Sequence, residues 1–371
     1  SPSGVANGSN LTTVVLPNQL GRAIAFQQNS LAGGWTVTDL NLKTDTSGNA
    51  SSPVTWIDPK DSTTYAAAIS TNGLIVYKNT NSTLNDWDAR NLNIELPNAE
   101  KITHNITVFV DKNNNVTIAG LTASNEIEFY TQTGGTGTNG FTWTARNLSK
   151  TDLATAGQTT PVFTTQLSSY VTSWNGLNLV GLDASGDIQS VWWAPGQATW
   201  QVANLTQLTG APKMVGNVTP YLTTWNAINL SGTDASGNVV VTWWLPGRAW
   251  TTSDLTGLFA GPTLDAGSVT TYVTPWGGTN VVGRNANGQV VVYWWDPGLA
   301  KNTGSDAWRI TVLSEAITGA DIPTGSISAF VSPSGTINIF GSNNNGQLIR
   351  YWWKPSQNWQ WSNVSTAAPL I

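Results

Sequence analysis

The amino-acid sequence predicts an all-β protein, a seven-bladed β-propeller of four-stranded antiparallel blades. Three observations lead to this fold class: a tryptophan motif recurs seven times, short apolar strands alternate with turn residues inside each repeat, and runs with helical periodicity are scarce. The chain has 371 residues, of which 36 are Gly and 17 are Pro. Because a propeller accommodates a chain of this length, we expect residues 1–371 to form a single domain with almost no helix.

The motif consists of Trp, three variable residues, a polar residue that is Asn or Asp in six copies, an aliphatic residue, and Ser, Thr or Asn. Its copies begin at Trp35, Trp87, Trp143, Trp200, Trp250, Trp308 and Trp359. Successive copies are 50 to 58 residues apart. A period of this length indicates an array of units with about four short strands each. We therefore expect this Trp to mark the last strand of every blade and to have a structural role.

The repeat divides the chain into blades with approximate bounds. These are residues 1–43, 55–93, 103–149, 168–206, 219–256, 270–314 and 328–365. In blade 1 the sequence shows three strands, and the opening SPSG matches the SPSG at residues 332–335, which follows a strand in blade 7. The first strand of blade 1 is therefore expected to be clipped, as in a fragment of a longer protein.

Blades 4 to 7 are close copies, each with a first strand, a tight hairpin, a second strand and a second hairpin. The second hairpins begin with Asp or Asn and end with Gly, as a type I turn closed by a left-handed residue requires. A calcium loop that uses Asp183 and Asp187 is a less favoured alternative, since calcium takes six to eight oxygen ligands. No metal or cofactor is predicted.

A small residue recurs in the middle of the second strand of most blades. These residues are Ala68, Gly120, Gly181, Gly232, Gly283 and Gly341. Gly weakens an ordinary strand, so its recurrence indicates that another group approaches closely. We interpret it as space for an indole.

Blades 4 to 7 carry a Trp pair in the third strand, whereas blades 1 to 3 have polar residues there. The pairs are Trp192-Trp193, Trp243-Trp244, Trp294-Trp295 and Trp352-Trp353. Adjacent strand residues point to opposite faces, so each pair offers one ring to each side of its blade. Packing between blades explains this, but the pattern also predicts a tryptophan-rich arc and a polar arc.

A further Trp marks the first hairpin of blades 4 to 6 only, at Trp174, Trp225 and Trp276. Asn175 and Asn226 follow the first two of these residues. A Trp on a hairpin is harder to explain as core than one on a strand. We therefore predict that Trp174, Trp225, Trp276, Asn175 and Asn226 bind a ligand.

Composition narrows the function. Charged residues make up only 10% of the chain, its formal net charge is −5, and its 16 Lys and Arg residues are spread over the whole chain. This argues against a nucleic-acid partner, because phosphate binding needs clustered Lys and Arg. There is no Cys and no run of apolar residues that could span a membrane. The Thr- and Asn-rich, Lys-poor composition favours an extracellular or cell-surface location.

Catalysis has little support in the sequence. His104 is the only His, and no Ser or Cys partner accompanies it. The acids Asp58, Asp61, Asp111, Glu126 and Glu128 do not recur between repeats. We predict that the protein is not an enzyme, with a glycoside hydrolase or polysaccharide lyase as the less favoured alternative.

In period and tryptophan usage the whole chain resembles the tryptophan-rich propeller lectins, including tectonin-like and sialidase-like repeat proteins, although the sialidase Asp-box is absent. The resemblance implies a non-catalytic, carbohydrate-binding propeller module of a secreted or cell-surface protein, with a glycan or polysaccharide as its partner. The alternative is a structural spacer, or a propeller that binds other surface proteins.

Overall fold

The computed structural model describes residues 2–31, 34–80, 86–137 and 140–367; the remaining residues of the predicted domain lie outside this description. The described residues form seven four-stranded antiparallel sheets, in each of which neighbouring strands are consecutive in sequence. These sheets are the blades of a seven-bladed β-propeller, so the predicted fold class is confirmed. None of the helices among these residues has the length and apolar character that crossing a membrane requires.

The strands are as follows. Blade 1 contains β1 (Ser3–Ala6), β2 (Thr12–Pro17), β3 (Ala23–Gln28) and β4 (Trp35–Asp39); blade 2 contains β5 (Ser51–Asp58), β6 (Thr63–Ser70), β7 (Gly73–Asn79) and β8 (Trp87–Asn91); blade 3 contains β9 (His104–Val110), β10 (Val116–Leu121), β11 (Ile127–Gly137) and β12 (Gly140–Asn147). Blade 4 contains β13 (Ser168–Val171), β14 (Leu177–Leu182), β15 (Ile188–Trp193) and β16 (Gln201–Asn204); blade 5 contains β17 (Met214–Leu222), β18 (Ile228–Asp234), β19 (Val239–Trp244) and β20 (Thr251–Asp254). Blade 6 contains β21 (Thr270–Val273), β22 (Thr279–Arg284), β23 (Val290–Trp295) and β24 (Arg309–Val312); blade 7 contains β25 (Ser328–Val331), β26 (Ile337–Ser342), β27 (Leu348–Trp353) and β28 (Gln360–Asn363).

The chain packs as two compact units. The amino-terminal unit comprises residues 3–180 and 190–203, and the carboxy-terminal unit consists mainly of residues 181–189 and 204–367. Within the carboxy-terminal unit, an apolar core lies between the facing sheets of blades 6 and 7, where Tyr272 and Val292 join Ile339 and Tyr351.

Blade 1 has its first strand, contrary to the expectation of a clipped one. Strand β1 pairs with β2 from Ser3 opposite Val15 to Ala6 opposite Thr12. The similarity to residues 332–335 misled the prediction, because there SPSG follows a strand, whereas in blade 1 the strand begins within the matched segment. Ser1 lies outside the described residues.

The repeated Trp marks the fourth strand of every blade, as predicted. In contrast to the expectation of almost no helix, each fourth strand continues into a single helical turn. These turns are α1 (Leu40–Lys43), α2 (Leu92–Glu95), the π-helical π1 (Ser149–Leu153), α3 (Leu205–Thr209), α4 (Leu255–Phe259), α6 (Leu313–Ala316) and α7 (Val364–Ala367). A further helix, α5 (Pro297–Thr303), follows the third strand of blade 6. Such turns are too short to show helical periodicity in a sequence.

The polar member of the motif caps this helical turn. Asn204 Oδ1 accepts a hydrogen bond from Gln207 N at 3.0 Å, and Asp254 Oδ1 accepts one from Gly257 N at 2.9 Å. Side-chain oxygens at this position satisfy backbone N–H groups that the first helical turn leaves unpaired. The Asn or Asp of the repeat is thus explained by helix capping.

The last member of the motif ties the fourth strand to the third. Thr206 Oγ1 accepts a hydrogen bond from Ile188 N at 2.8 Å, and Thr256 Oγ1 accepts one from Val239 N at 2.9 Å. The same bond occurs in all seven blades, with Asn41, Asn93, Ser149, Thr206, Thr256, Ser314 and Ser365 as acceptors. The aliphatic residue between the two polar positions is buried in every blade.

The small residues of the second strands were interpreted as space for an indole. At Gly120, Gly283 and Gly341 this interpretation is wrong, because the nearest groups are not aromatic. A Cβ on Gly120 would lie 2.4 Å from Ile102 Cγ2, one on Gly283 would lie 2.8 Å from Leu264 Cδ1, and one on Gly341 would lie 2.6 Å from Pro323 Cβ. These non-aromatic side chains belong to the segment that enters the blade. A side chain in the strand would displace that segment.

We expect Thr206→Val to lower the free energy of unfolding by about 1 to 3 kcal/mol, because it leaves the buried amide of Ile188 without its acceptor. Thr206→Ser keeps the hydroxyl and serves as the control. Urea unfolding of both variants measures the difference. Equal stability of the two variants would show that this hydrogen bond contributes nothing.

Candidate ligand-binding site

The three hairpin tryptophans are the only exposed ones among the described residues. Trp174, Trp225 and Trp276 are 38%, 44% and 39% exposed, whereas the motif residues Trp143 and Trp200 are each 4% exposed. The structural role predicted for the motif Trp fits Trp87, Trp143 and Trp200, which are buried, whereas the other four motif residues, Trp35, Trp250, Trp308 and Trp359, are half-buried. The hairpin rings keep a large part of their surface in contact with solvent.

The hairpins that carry these rings share one turn geometry. In blade 6, Thr274 Oγ1 accepts a hydrogen bond from Gly278 N at 2.8 Å, and Gly277 has a φ of +87°. Asn175 and Asn226 occupy the same left-handed position, with φ of +64° and +67°. Asn is one of the few residues with a side chain that tolerates this conformation.

Asn175 has a second structural contact, because its Oδ1 accepts a hydrogen bond from Lys112 N at 2.9 Å. The turn thus explains why Asn stands at these two positions. Ligand binding by Asn175 and Asn226 stays a prediction.

Trp276 lines a cleft between blades 6 and 7, which we call the tryptophan cleft. Its volume is about 300 Å³. The lining residues are Tyr272, Thr274, Trp276, Gly278, Asn280, Val292, Trp294, Trp295, Asp296, Thr311, Leu313, Ile337, Trp353 and Trp359. Alternate residues of a strand share one face, and every second residue from Tyr272 to Asn280 lines this cleft.

The ring of Trp276 is held at one edge. Its centroid lies 5.7 Å from that of Trp353, with the two planes tilted by 60°. A Cβ on Gly335, in the first hairpin of blade 7, would lie 3.0 Å from Trp276 Cζ3, so the absence of a side chain there permits the approach. The indole is therefore oriented by blade 7 while much of its surface stays exposed.

Few polar groups reach into the cleft. Trp294 Nε1 donates a hydrogen bond to Thr311 Oγ1 at 3.0 Å, which fixes the ring orientation. The Tyr272 hydroxyl makes no hydrogen bond to a described residue, and burial raises its pKa, so it stays protonated. Asn280 Nδ2 makes a long contact of 3.4 Å to Tyr272 O. The Tyr272 hydroxyl and Asn280 Oδ1 are thus free to bond a ligand.

Blades 5 and 6 repeat much of this arrangement. Trp225 packs edge-on against Trp295 of blade 6, with ring centroids 5.4 Å apart. Trp243 Nε1 donates a hydrogen bond to Ser253 Oγ at 3.0 Å, which matches the bond between Trp294 and Thr311. Trp294 and Trp295 both line the tryptophan cleft, and the ring of Trp295 also contacts blade 5. That each Trp pair offers one ring to each side of its blade stays a prediction.

A cleft between blades 2 and 3 occupies the equivalent place but has charged walls. Its volume is about 680 Å³. Tyr65 is paired with Lys78 across the strands, as Asn280 is paired with Trp294 in blade 6. By the same register Arg90, Gln132 and Lys60 occupy the positions of Thr311, Trp353 and Trp276. The predicted polar arc therefore differs from the tryptophan-rich arc in the walls of its cleft.

The charges of this second cleft are largely paired. Arg90 Nε lies 3.0 Å from Glu95 Oε2, and Arg90 Nη1 donates to Phe141 O at 2.6 Å. The Tyr65 hydroxyl donates to Asp61 Oδ2 at 2.6 Å. The Arg90 side chain is thus held by a carboxylate and a backbone carbonyl, and the Tyr65 hydroxyl by a carboxylate.

The acids considered for catalysis do not face one another across either cleft. Asp58 is fully buried and accepts a hydrogen bond from Lys60 N at 2.9 Å, and Glu126 lies 3.5 Å from Lys150 Nζ. Glu128 is 1% exposed. Burial, followed by the negative charge of Glu100, raises the pKa of Glu128 to about 7. His104 Nε2 contacts Asn125 Oδ1 at 3.1 Å.

Sequence reasoning found Trp276 but missed most of the cleft around it. Trp294 and Trp353 were interpreted as packing between blades, and Trp359 as purely structural, although all three line the cleft. Tyr272 and Asp296 were not singled out. The alternation of Tyr272, Thr274, Trp276 and Asn280 along one face was the signal that could have identified Tyr272; no such signal marks Asp296.

No protein-family model matches the sequence, and no curated protein matches it. Solved lectin propellers share the fold. BP39L lectin from Burkholderia pseudomallei is 13% identical, with a TM-score of 0.69 and coverage of 97% of both chains. Aleuria aurantia lectin, a six-bladed propeller described with its fucose recognition mode, is 11% identical, with a TM-score of 0.52 and coverage of 98% of this chain and 94% of that lectin.

AofleA from Arthrobotrys oligospora is 11% identical, with a TM-score of 0.53 and coverage of 84% of this chain and 85% of AofleA. Identities this low show a shared fold alone, because one fold hosts many functions. These neighbours support the resemblance to lectin propellers. The narrower resemblance to tectonin-like and sialidase-like proteins stays a prediction.

We expect the pKa of Glu128 to make stability depend on pH. Between about pH 4.5 and 7 the folded carboxyl holds a proton that the unfolded chain has lost, so stability falls as pH rises through this range and levels off above about 7. Glu128→Gln should flatten this dependence and raise the free energy of unfolding at about pH 8 by up to about 3 kcal/mol. Urea unfolding across this pH range measures both effects.

The exposed Glu315 supplies the control, since Glu315→Gln should leave the pH dependence unchanged. A Glu128→Gln variant whose pH profile matches that of the wild type would contradict the raised pKa.

Proposed function

We propose that the protein is a non-catalytic, lectin-like propeller that binds carbohydrate in the clefts between its tryptophan-rich blades. The observation that carries this proposal is the exposed ring of Trp276 beside the Tyr272 hydroxyl and the Asn280 amide in the tryptophan cleft. The C–H face of a pyranose ring packs against an aromatic face, while its hydroxyls need a few well-placed polar partners. The cleft offers both.

The solved neighbours support this choice of ligand. Aleuria aurantia lectin is known in complex with α-methyl-L-fucoside, and its propeller covers most of the present chain. A 6-deoxy sugar carries a methyl group that would suit the apolar wall formed by the indole rings and Ile337. A neutral sugar with an apolar edge is accordingly the proposed ligand class.

Affinity at each cleft is expected to be low, because one stacked ring buries little surface. Blades 4 to 6 each present a hairpin Trp, so a glycan polymer or a glycan-coated surface could engage several of them at once. Linked binding sites raise the overall affinity without new contacts. We place such a protein outside the cell or on its surface, where these glycans are found.

A second candidate function is protein–protein interaction within a larger surface assembly. The one-turn helices that end the blades expose aliphatic side chains, with Leu42 at 67%, Ile94 at 76% and Leu208 at 68%. Such residues suit contact with another protein. This alternative makes no use of the tryptophan cleft.

We expect Trp276→Ala to weaken binding to the cleft about tenfold, which equals about 1.4 kcal/mol, because the stacking face is removed. The Trp174, Trp225 and Trp276→Ala triple variant should lose binding to a glycan-coated surface. A glycan array and calorimetry with α-methyl-L-fucoside are the measurements.

Ser334 occupies the hairpin position of Trp276 in blade 7, so Ser334→Ala is the matched control and should bind as the wild type does. Absence of glycan binding by the wild type, or full binding by a folded triple variant, would reject this site. The interaction function would then take its place.

A further inference from the structure

One position of the tryptophan cleft, the residue after the Trp pair, changes its chemical character from blade to blade. That residue is Ala194 in blade 4, Leu245 in blade 5, Asp296 in blade 6 and Lys354 in blade 7. Only blade 6 places a carboxylate there, and Asp296 lines the cleft. The repeat scaffold does not require an acid at this position.

Part of the role of Asp296 is structural. Its Oδ1 accepts hydrogen bonds from Gly298 N at 2.7 Å and Leu299 N at 3.3 Å, so it caps helix α5. Capping can be performed equally well by Asn, which is neutral. The charge of Asp296 is therefore not explained by the cap.

The charge of Asp296 has no counter-ion in the described part of the chain. Asp296 forms no ion pair with a described residue, and its Oδ2 accepts no hydrogen bond from one. No residue that lines the cleft is Lys, Arg or His. The cleft thus carries a formal charge of −1 on an otherwise uncharged wall.

The remaining wall presents electron-rich aromatic faces. Trp276, Trp294 and Trp353 line the same space, and the N–H of Trp294 is already used by Thr311. Indole rings attract organic cations through their π-electron faces, and groups of such rings recognise alkylated ammonium ions. A carboxylate beside them supplies the balancing charge.

We propose that the tryptophan cleft selects a ligand that bears an ammonium group, held between the indoles with Asp296 as its counter-ion. The proposal rests on the proposed function for its choice of cleft and names the chemistry that this cleft would favour among glycans. Two sources share that chemistry: a protonated amino sugar, and a quaternary ammonium substituent on a glycan.

Calorimetric titration of the full chain tests this with two matched pairs of probes. Choline is compared with its neutral isostere 3,3-dimethylbutanol, and glucosamine is compared with N-acetylglucosamine. In at least one pair the cation should bind ten times more tightly than its neutral partner. Preference for choline indicates the quaternary substituent, and preference for glucosamine indicates the amino sugar.

Substitutions at residue 296 and at its equivalent in blade 5 test whether Asp296 is the counter-ion. Asp296→Asn keeps the helix cap and should reduce cation binding about tenfold while leaving thermal stability unchanged. Leu245→Asp, at the equivalent position of blade 5, should add a second cation site. Equal binding of cation and neutral partner in both pairs, or cation binding that survives Asp296→Asn, overturns the proposal.

These outcomes are separable from the test of carbohydrate binding. A wild type that binds α-methyl-L-fucoside but shows no preference for either cation defeats this inference and leaves the proposed function intact. A wild type that binds choline through Asp296 but binds no glycan supports the cation site and defeats the proposed function.

Discussion

One hydrogen bond, from the backbone amide near the start of each third strand to a side-chain oxygen just beyond the fourth, recurs in all seven blades. It anchors the outer edge of every sheet at the point where the chain turns to the next blade. The same motif also supplies the buried aliphatic residue and the residue that caps the helical turn. Because a buried amide without an acceptor is costly, the acceptor is Ser, Thr or Asn in every repeat.

That fixed frame leaves the cleft walls free to differ. Asn280 and Tyr65 share one register position, yet the first stands beside Trp294 and the second beside Lys78. The cleft of blades 6 and 7 is consequently apolar and aromatic, whereas that of blades 2 and 3 has charged residues in its walls, among them the ion-paired Arg90 and Glu95. The two clefts therefore favour different ligands. Indole rings attract apolar groups and cations, whereas charged side chains that are already paired or hydrated gain little from a ligand.

The period of the Trp motif was enough to predict blade number and the fourth strand, because both follow from repetition alone. The helical turns and the partners of Gly120 and Gly283 could not be predicted, since they depend on which segment lies over which strand. For the same reason the sequence identified Trp276 by its hairpin but not Trp353, whose approach depends on the Gly335 turn of the next blade. Asp296 was overlooked because a lone acid carries no pattern until its surroundings are known.

The Trp pair of strand β23 has an evolutionary consequence. Both Trp residues line the cleft with blade 7, and Trp295 also packs against Trp225 of blade 5, so a single repeat contributes to the surroundings of two hairpin tryptophans. Duplication or recombination of one repeat would therefore alter two recognition surfaces together. Independent tuning of a cleft is left to positions outside the pair, such as residues 245 and 296, where Leu and Asp already differ. Substitutions that adapt one cleft to a new ligand are therefore expected at these few positions rather than in the paired indoles.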